Sequence, residues 1–154
     1  MAKRVDISDD EYLKGLHDVV SNLQGAVNGI KNGSGKGLAD GCLEILGIAV
    51  ERAPVDTGDL RGSGFLDLDG EQYAQGEAAG SVSVVSSVPE NTTEALLGFN
   101  APYAAGQHEH TEYDHPRGGQ PKYLESAIVE NQDRLLALIA GKAIEELFGG
   151  GDDA

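Results

Sequence analysis

Asp56-Thr57-Gly58 spells the tripeptide of aspartic proteases, in which carboxylates from two lobes or subunits lie side by side and share one proton. Such a dyad is shielded and close-packed. Here the tripeptide follows Arg52-Ala53-Pro54 and precedes Asp59, whose carboxylate would add repulsion beside the pair. A plainer role is preferred, a structural turn. Pro54 stops a helix, Asp56 and Thr57 bond nearby backbone N–H groups, and Gly58 takes positive φ. Gly33-Ser34-Gly35-Lys36-Gly37 invites a phosphate-loop reading. The pattern G-x-x-x-x-G-K-[ST] fails, because Ile30 and Gly37 stand where Gly and Ser or Thr are needed. Gly118-Gly119-Gln120 spells the tripeptide of translation release factors, but a chain of net charge −15 is badly suited to approaching ribosomal RNA.

The stretch QHEHTEYDHP gathers His108, His110 and His115 with Glu109, Glu112 and Asp114. Imidazole and carboxylate together bind zinc or another divalent ion. On a strand, His108 and His110 would share a face, and His115 could join from the loop. That is the basis for a metal-dependent hydrolase as an alternative. No H-E-x-x-H helix pattern supports it, a polar loop or subunit contact fits as well, and no cofactor is expected. Cys42 is the sole cysteine, so an intramolecular disulfide is excluded and reduced, cytosolic surroundings are the default. Within the apolar run CLEILGIAV it reads as a small buried hydrophobe rather than a nucleophile.

The elements that must position these residues follow from periodicity. With 154 residues the chain suits one domain, taken as 1–148, with 149–154 a disordered tail. Ser8 and Glu11 form a capping box, and Leu16, Val20, Leu23, Val27 and Ile30 recur on one helix face. The glycine-rich segment 28–37 should end that helix and act as a flexible linker, ordered only on assembly. A second helix over 38–52 should bury Cys42, Ile45, Leu46 and Ala49. FLDLD, SVSVVSSV, EALLGFN and YAAGQHEH read as strands. Pro121 suits the first turn of a last helix with Leu124, Ile128, Leu135, Leu138, Ile139 and Leu147 on its apolar face. The expected fold is α+β, a small four-stranded, mainly antiparallel sheet packed against N-terminal helices and a long C-terminal helix. No apolar stretch approaches the ~20 residues of a membrane span, and nothing apolar follows Lys3 and Arg4, so no signal peptide is expected.

Taken together, ERAPVDTGDLRGSG and APYAAGQHEHTEYDHPRGGQPKYLESAI resemble the small head–tail joining and minor capsid (tail completion) proteins of long-tailed bacteriophages. The family's recurring elements fall on Pro54, Asp56, Thr57, Gly58, Leu60 and Ser63, then on Tyr103 and Ala104. They continue on Gln107, His108 and Glu109, on His115, Pro116, Gly118 and Gly119, and on Lys122, Tyr123, Leu124 and Glu125. The likeness spans roughly residues 38–147. It implies a non-enzymatic structural virion protein acting in head–tail joining or tail completion, as neck component or tail terminator. It also implies self-association into a ring, often hexameric, that meets other neck, portal-side or tail-tube proteins. The expected place is the head–tail junction of the virion, and the host cytoplasm during assembly; a minor capsid protein on the head exterior is the alternative. DNA would pass nearby without specific binding, and an acidic lining would keep it from sticking. The candidate subunit contact comprises Gln107, His108, Glu109, His115, Gly118, Gly119, Lys122 and Tyr123, a polar segment with glycines for close approach and tyrosines suited to interfaces.

Overall fold

One helix, α1 (Asp9–Arg52), runs 44 residues, about 66 Å at 1.5 Å per residue. After it come α2 (Asp59–Gly62), β1 (Gly64–Leu68), β2 (Glu71–Gly76), β3 (Val82–Val84), β4 (Ala95–Phe99), α3 (Ala104–Glu109) and α4 (Tyr123–Phe148). These elements belong to a computed structural model that describes residues 9–55, 58–110, 112, 115 and 118–149. The expected capping residue Ser8 and the tail residues 150–154 lie outside the described residues.

The flexible linker expected over 28–37 is corrected: this segment is continuous helix. The reason is a contact made a hundred residues later. α4 runs antiparallel along α1 so closely that glycine forms the seam. A Cβ on Gly33 would stand 2.2 Å from the Lys142 carbonyl oxygen and 2.7 Å from the Ala143 Cα; one on Gly37 would stand 2.5 Å from the Ile139 Cα. Gly33, Gly37 and Gly41 are spaced by four and so share one helix face. Each costs up to about 1 kcal/mol in helix propensity relative to Ala, and the backbone packing they permit offsets it. Lys36–Glu146, Glu44–Arg134 (2.6 Å) and Arg52–Glu130 (2.6 Å) pair along the seam. Being exposed, each such pair contributes little by itself.

The sheet order is β3-β2-β1-β4, and each neighbouring pair is antiparallel. The fold is therefore α+β, with a four-stranded antiparallel sheet, a long N-terminal helix and a long C-terminal helix. Two assignments change. YAAGQHEH contains α3 rather than a strand, and the remaining strand is β2, EQYAQG. Asp69 (φ 48) and Gly70 (φ 84) connect β1 to β2 with positive φ at both central positions, the type I′ geometry that matches strand twist. Leu66 pairs with Ala74 but Asp67 pairs with Gln72, so Tyr73 is the extra residue of a bulge. The bulge lets Tyr73 and Ala74, adjacent in sequence, both face the interior.

Asp69 also ties this hairpin to the approach of β4. Its Oδ1 accepts the N–H groups of Thr93 (3.1 Å) and Glu94 (3.0 Å). Asp69→Ala is expected to cost about 1–2 kcal/mol, since it removes a charged acceptor and a residue tolerant of positive φ. A urea midpoint unchanged within error would remove this role.

One face of α1 (Ala39, Cys42, Leu46, Val50) packs on Leu66, Leu68, Tyr73 and Ala74 of the sheet. Another places Ile45 and Ala49 against Ala127 of α4. Cys42 is 4 % exposed and burial pushes its thiol pKa up, in keeping with a hydrophobic filler. On α4, Leu135, Leu138, Ile139 and Leu147 are half-buried, whereas Ile128 is exposed. The N-terminal part of α1 departs most from expectation: Leu16, Val20, Leu23, Val27 and Ile30 are all exposed, and none belongs to a core cluster among the described residues. Gly29 already lies beside Glu146 and Leu147, near the end of α4. Among the described residues, no helix is long and apolar enough to cross a membrane.

Candidate functional site

The end of α1 approaches the start of α4, and several of the residues singled out above meet there. Val55 N–H donates to the Gly118 carbonyl (3.1 Å) and Gln120 N–H donates to the Arg52 carbonyl (2.8 Å), so 52–55 and 118–120 form a two-rung clamp. Gly119 (φ 94) lies inside it. A Cβ there would stand 2.4 Å from the Pro54 Cα and 2.6 Å from the Ala53 oxygen, which leaves glycine as the residue that fits. Gly58 has φ 90, and a Cβ on it would press on Ala78 at 2.7 Å. Asp56 and Thr57, and with them their expected backbone bonds, lie outside the described residues. Arg61 reaches back to the open end of α1, donating to the carbonyls of Ala53 (3.1 Å) and Glu51 (2.7 Å). A cation at a helix C-terminus satisfies both the free carbonyls and the dipole.

On the other side of the clamp, α3 is docked on the first turn of α4. Lys122 N–H donates to the His108 carbonyl (2.8 Å). The Tyr123 hydroxyl donates to the Ala104 carbonyl (2.8 Å), and its ring meets Phe99 and His108 edge-on at 4.9 and 5.0 Å. Tyr123 is 1 % exposed, and burial pushes its phenol pKa up to about 12. Its expected place in a subunit contact is thereby corrected: the ring is already enclosed by its own chain.

His108 serves as a cap. Its Nε2 accepts the Glu125 N–H at 3.1 Å, so that nitrogen carries no proton, and Nδ1–H donates to Glu109 Oε1 at 2.6 Å. One of the first-turn donors of α4 is thus satisfied by a side chain from α3 rather than by a residue at the helix's own end. Lys122 Nζ sits 2.6 Å from Glu109 and 3.2 Å from Glu125. Its hydrogen bond, followed by that of His108, holds the Glu109 carboxyl below the usual range, and Glu109, followed by Glu125, raises the Lys122 pKa. His108→Ala is expected to cost about 1–2 kcal/mol through the lost cap. Measured in urea, His108→Gln should recover part of that loss; equal losses would show that ring packing, not capping, is the role.

The same residues bear on metal binding. Among the described residues, the ligand atoms that gather are those of His108, Glu109 and Glu125, within 4.8 Å of one another. Both His108 nitrogens are engaged and the Lys122 ammonium already stands against both carboxylates, where a metal ion would compete. The three histidines do not converge. His108 lies in α3, whereas His110 follows its end with extended backbone, so the strand that was to align the two is absent. His110 Nδ1 instead bonds Glu112 at 2.7 Å, and the His115 carbonyl accepts the Gly118 N–H at 3.0 Å.

Of the expected contact residues, Glu109, Gly118 and Gly119 are exposed and Gln107, His108, His115 and Lys122 half-buried. An open hollow of about 630 Å³ lies beside the clamp, lined by Glu51, Arg52, Gly119, Gln120 and Glu130 among others. Arg52 is committed there to Glu130 (2.6 Å) and Ser126 (3.0 Å). Sequence reasoning overlooked Arg61, Phe99 and Asp69. A basic residue just past a helix stop, and an Asp-Gly pair between strands, were the available signals for the first and last. No family model, curated protein or solved structure matches the chain.

Proposed function

We propose that this chain is a structural protein of a tailed-bacteriophage virion, acting in head–tail joining or tail completion as a subunit of a ring. One observation carries the reading. The segments whose residues resemble that family lie far apart in sequence, yet they meet in one corner and serve there to hold elements together. Gly119 seats on Pro54, His108 caps α4, and Tyr123 closes α3 onto α4. Each of these roles sets shape, and the polar groups involved are engaged by other groups of the chain. Such a corner suits a rigid building block whose outer face, with Gln107, Glu109, His115, Gly118 and Lys122, contacts neighbouring neck or tail proteins. A net charge of −15 suits a subunit beside a DNA passage, since phosphates would be repelled rather than retained.

The test is to raise antibodies against the chain and apply them, gold-labelled, to particles produced from the genome that encodes it. Label at the junction of head and tail is the expected result. Label spread over the head would replace this reading with a minor capsid role. A chain present in the lysate but missing from purified particles would sink both.

A further inference from the structure

The exposed N-terminal part of α1 has a spacing that its own chain does not use. Leu13, Leu16, Val20, Leu23, Val27 and Ile30 follow steps of three, four, three, four and three. That is a 3.5-residue period, the a and d positions of a heptad, and not the wider stripe that a lone surface helix turns toward a core. These side chains are 44 to 61 % exposed. Val20, Leu23, Gln24 and Val27, which occupy a, d, e and a, line with Asn28 a shallow hollow of about 410 Å³, and those four positions are the ones that receive a knob in a coiled coil. We infer that residues 12–30 of α1 pair with the same segment of a second copy of this chain, as a short coiled coil. The inference stands on this arm and does not depend on the proposed function.

Three arguments choose a second copy. The first is charge. The chain as a whole carries −15, yet of its Asp, Glu, Lys and Arg residues only Lys14 and Asp18 fall within 12–30. Copies of a strongly acidic protein repel one another, and the acidic groups are kept away from this stripe. Within 12–30 the e positions, His17 and Gln24, place no acidic group beside the seam, and Asp9, Asp10 and Glu11 precede it. The second is area. With Tyr12 and Val19 flanking the stripe, eight large apolar side chains stand 44 to 61 % exposed along one arm, the kind of contiguous apolar patch that marks an association surface. The third is helix stability. This arm has Gly15 and Gly25 with nothing near them, and Val, Asn and Ser among its other residues. A helix of that composition with no packing partner is marginal in water, so pairing would supply the contacts that hold it. The a and d choices, Leu, Val and Val at a with Leu, Leu and Ile at d, are those of natural coiled coils. Apolar Tyr12, Val19 and Ala26 at g widen the seam enough for more than two strands.

The experiment is sedimentation equilibrium of the full chain over a wide concentration range, beside two double variants. Leu16→Glu with Leu23→Glu places charge in the seam. Ser21→Glu with Asn22→Glu adds the same charge at the outward b and c positions. Wild type and the outward variant should sediment as a multiple of the 16.1 kDa chain. The seam variant should sediment as a single chain, with its dissociation constant raised at least a hundredfold. Far-UV dichroism of the seam variant should show partial loss of helix while the body still unfolds cooperatively, because its core lies outside the arm. A wild-type chain that stays monomeric at ~100 μM, weaker than the micromolar range of ordinary interfaces, overturns the inference. So does an oligomer whose mass the seam variant leaves unchanged. In the latter case a ring held by other contacts would remain open to the virion test.

Discussion

Gly37→Ala is expected to destabilise this protein by about 2–4 kcal/mol, opposite in sign to what helix propensity alone predicts. At an exposed helical position the same change stabilises by up to about 1 kcal/mol, because Ala loses less backbone entropy than Gly. At Gly37 the new methyl would stand 2.5 Å from the Ile139 Cα and 2.6 Å from the Leu138 oxygen. Those are backbone atoms, so no rotamer change relieves the clash and the two helices must move apart along their length. Gly33→Ala should behave alike, since the Lys142 oxygen and Ala143 Cα are its neighbours. Gly41→Ala should cost less, because the atom it meets is the Leu135 Cδ1, the end of a flexible side chain. Gly47→Ala, with nothing within 4 Å, should be neutral or stabilising. Urea midpoints at constant m-value give this ranking directly. A neutral Gly37→Ala would mean that the seam is absent and that 28–37 is the loose linker its composition suggests.

Tyr123→Ala carries the second large effect, about 3–5 kcal/mol, as for other buried aromatic truncations. The ring fills the space between Phe99 and His108, and its hydroxyl bonds the Ala104 carbonyl. Tyr123→Phe keeps the volume and removes the hydroxyl's bond to that carbonyl, for about 1 kcal/mol. pH separates the two contributions. The phenol pKa is raised from 10.0 to about 12 in the fold, so the folded state favours the protonated form. The associated stability is present in full below pH 10 and falls as pH rises from 10 toward 12, where the unfolded chain has already released the proton. Tyr123→Phe should decline less steeply, since of the phenols raised by burial only Tyr73 then contributes. If wild type and Tyr123→Phe lose stability in parallel over this range, the phenol is not buried as described.

What could be read from the sequence was whatever depends on near neighbours. The amphipathic spacing of Leu135, Leu138, Ile139 and Leu147 announced a C-terminal helix, and the alternation of Gly64–Leu68 announced a strand. Failures arose where a distant contact reverses a local preference. Glycine at 33, 35 and 37 argues for a break when judged by propensity, and becomes helical because α4 needs the close approach at 33 and 37 and the Thr92 backbone needs it at 35. β2 was hidden by Glu71, Gln72 and Gln75, polar residues on its outer side, although Asp69-Gly70 before it marked a hairpin. YAAGQHEH is too short for its period to decide between strand and helix; the Tyr123 hydroxyl and the Lys122 N–H, both bonded to its carbonyls, bind it to α4. At the corner, the residue types were readable. That 52–55 would meet 118–120 was not, since no periodicity links segments so far apart.

The seam between α1 and α4 also bears on the order of events at the ribosome. α1 emerges first and α4 nearly last, so the face that α4 will cover must wait while about seventy residues of sheet and loops are made, a matter of several seconds. The sheet-facing side of α1 is claimed sooner, by Leu66, Leu68 and Ala74. A waiting face built of leucine would be an invitation to aggregate. The part built on Gly33, Gly37 and Gly41 offers little apolar surface until another backbone comes close enough to use it, and the larger side chains of that face begin only at Ile45. Along the glycine stretch the two helices thus recognise each other by shape at contact distance.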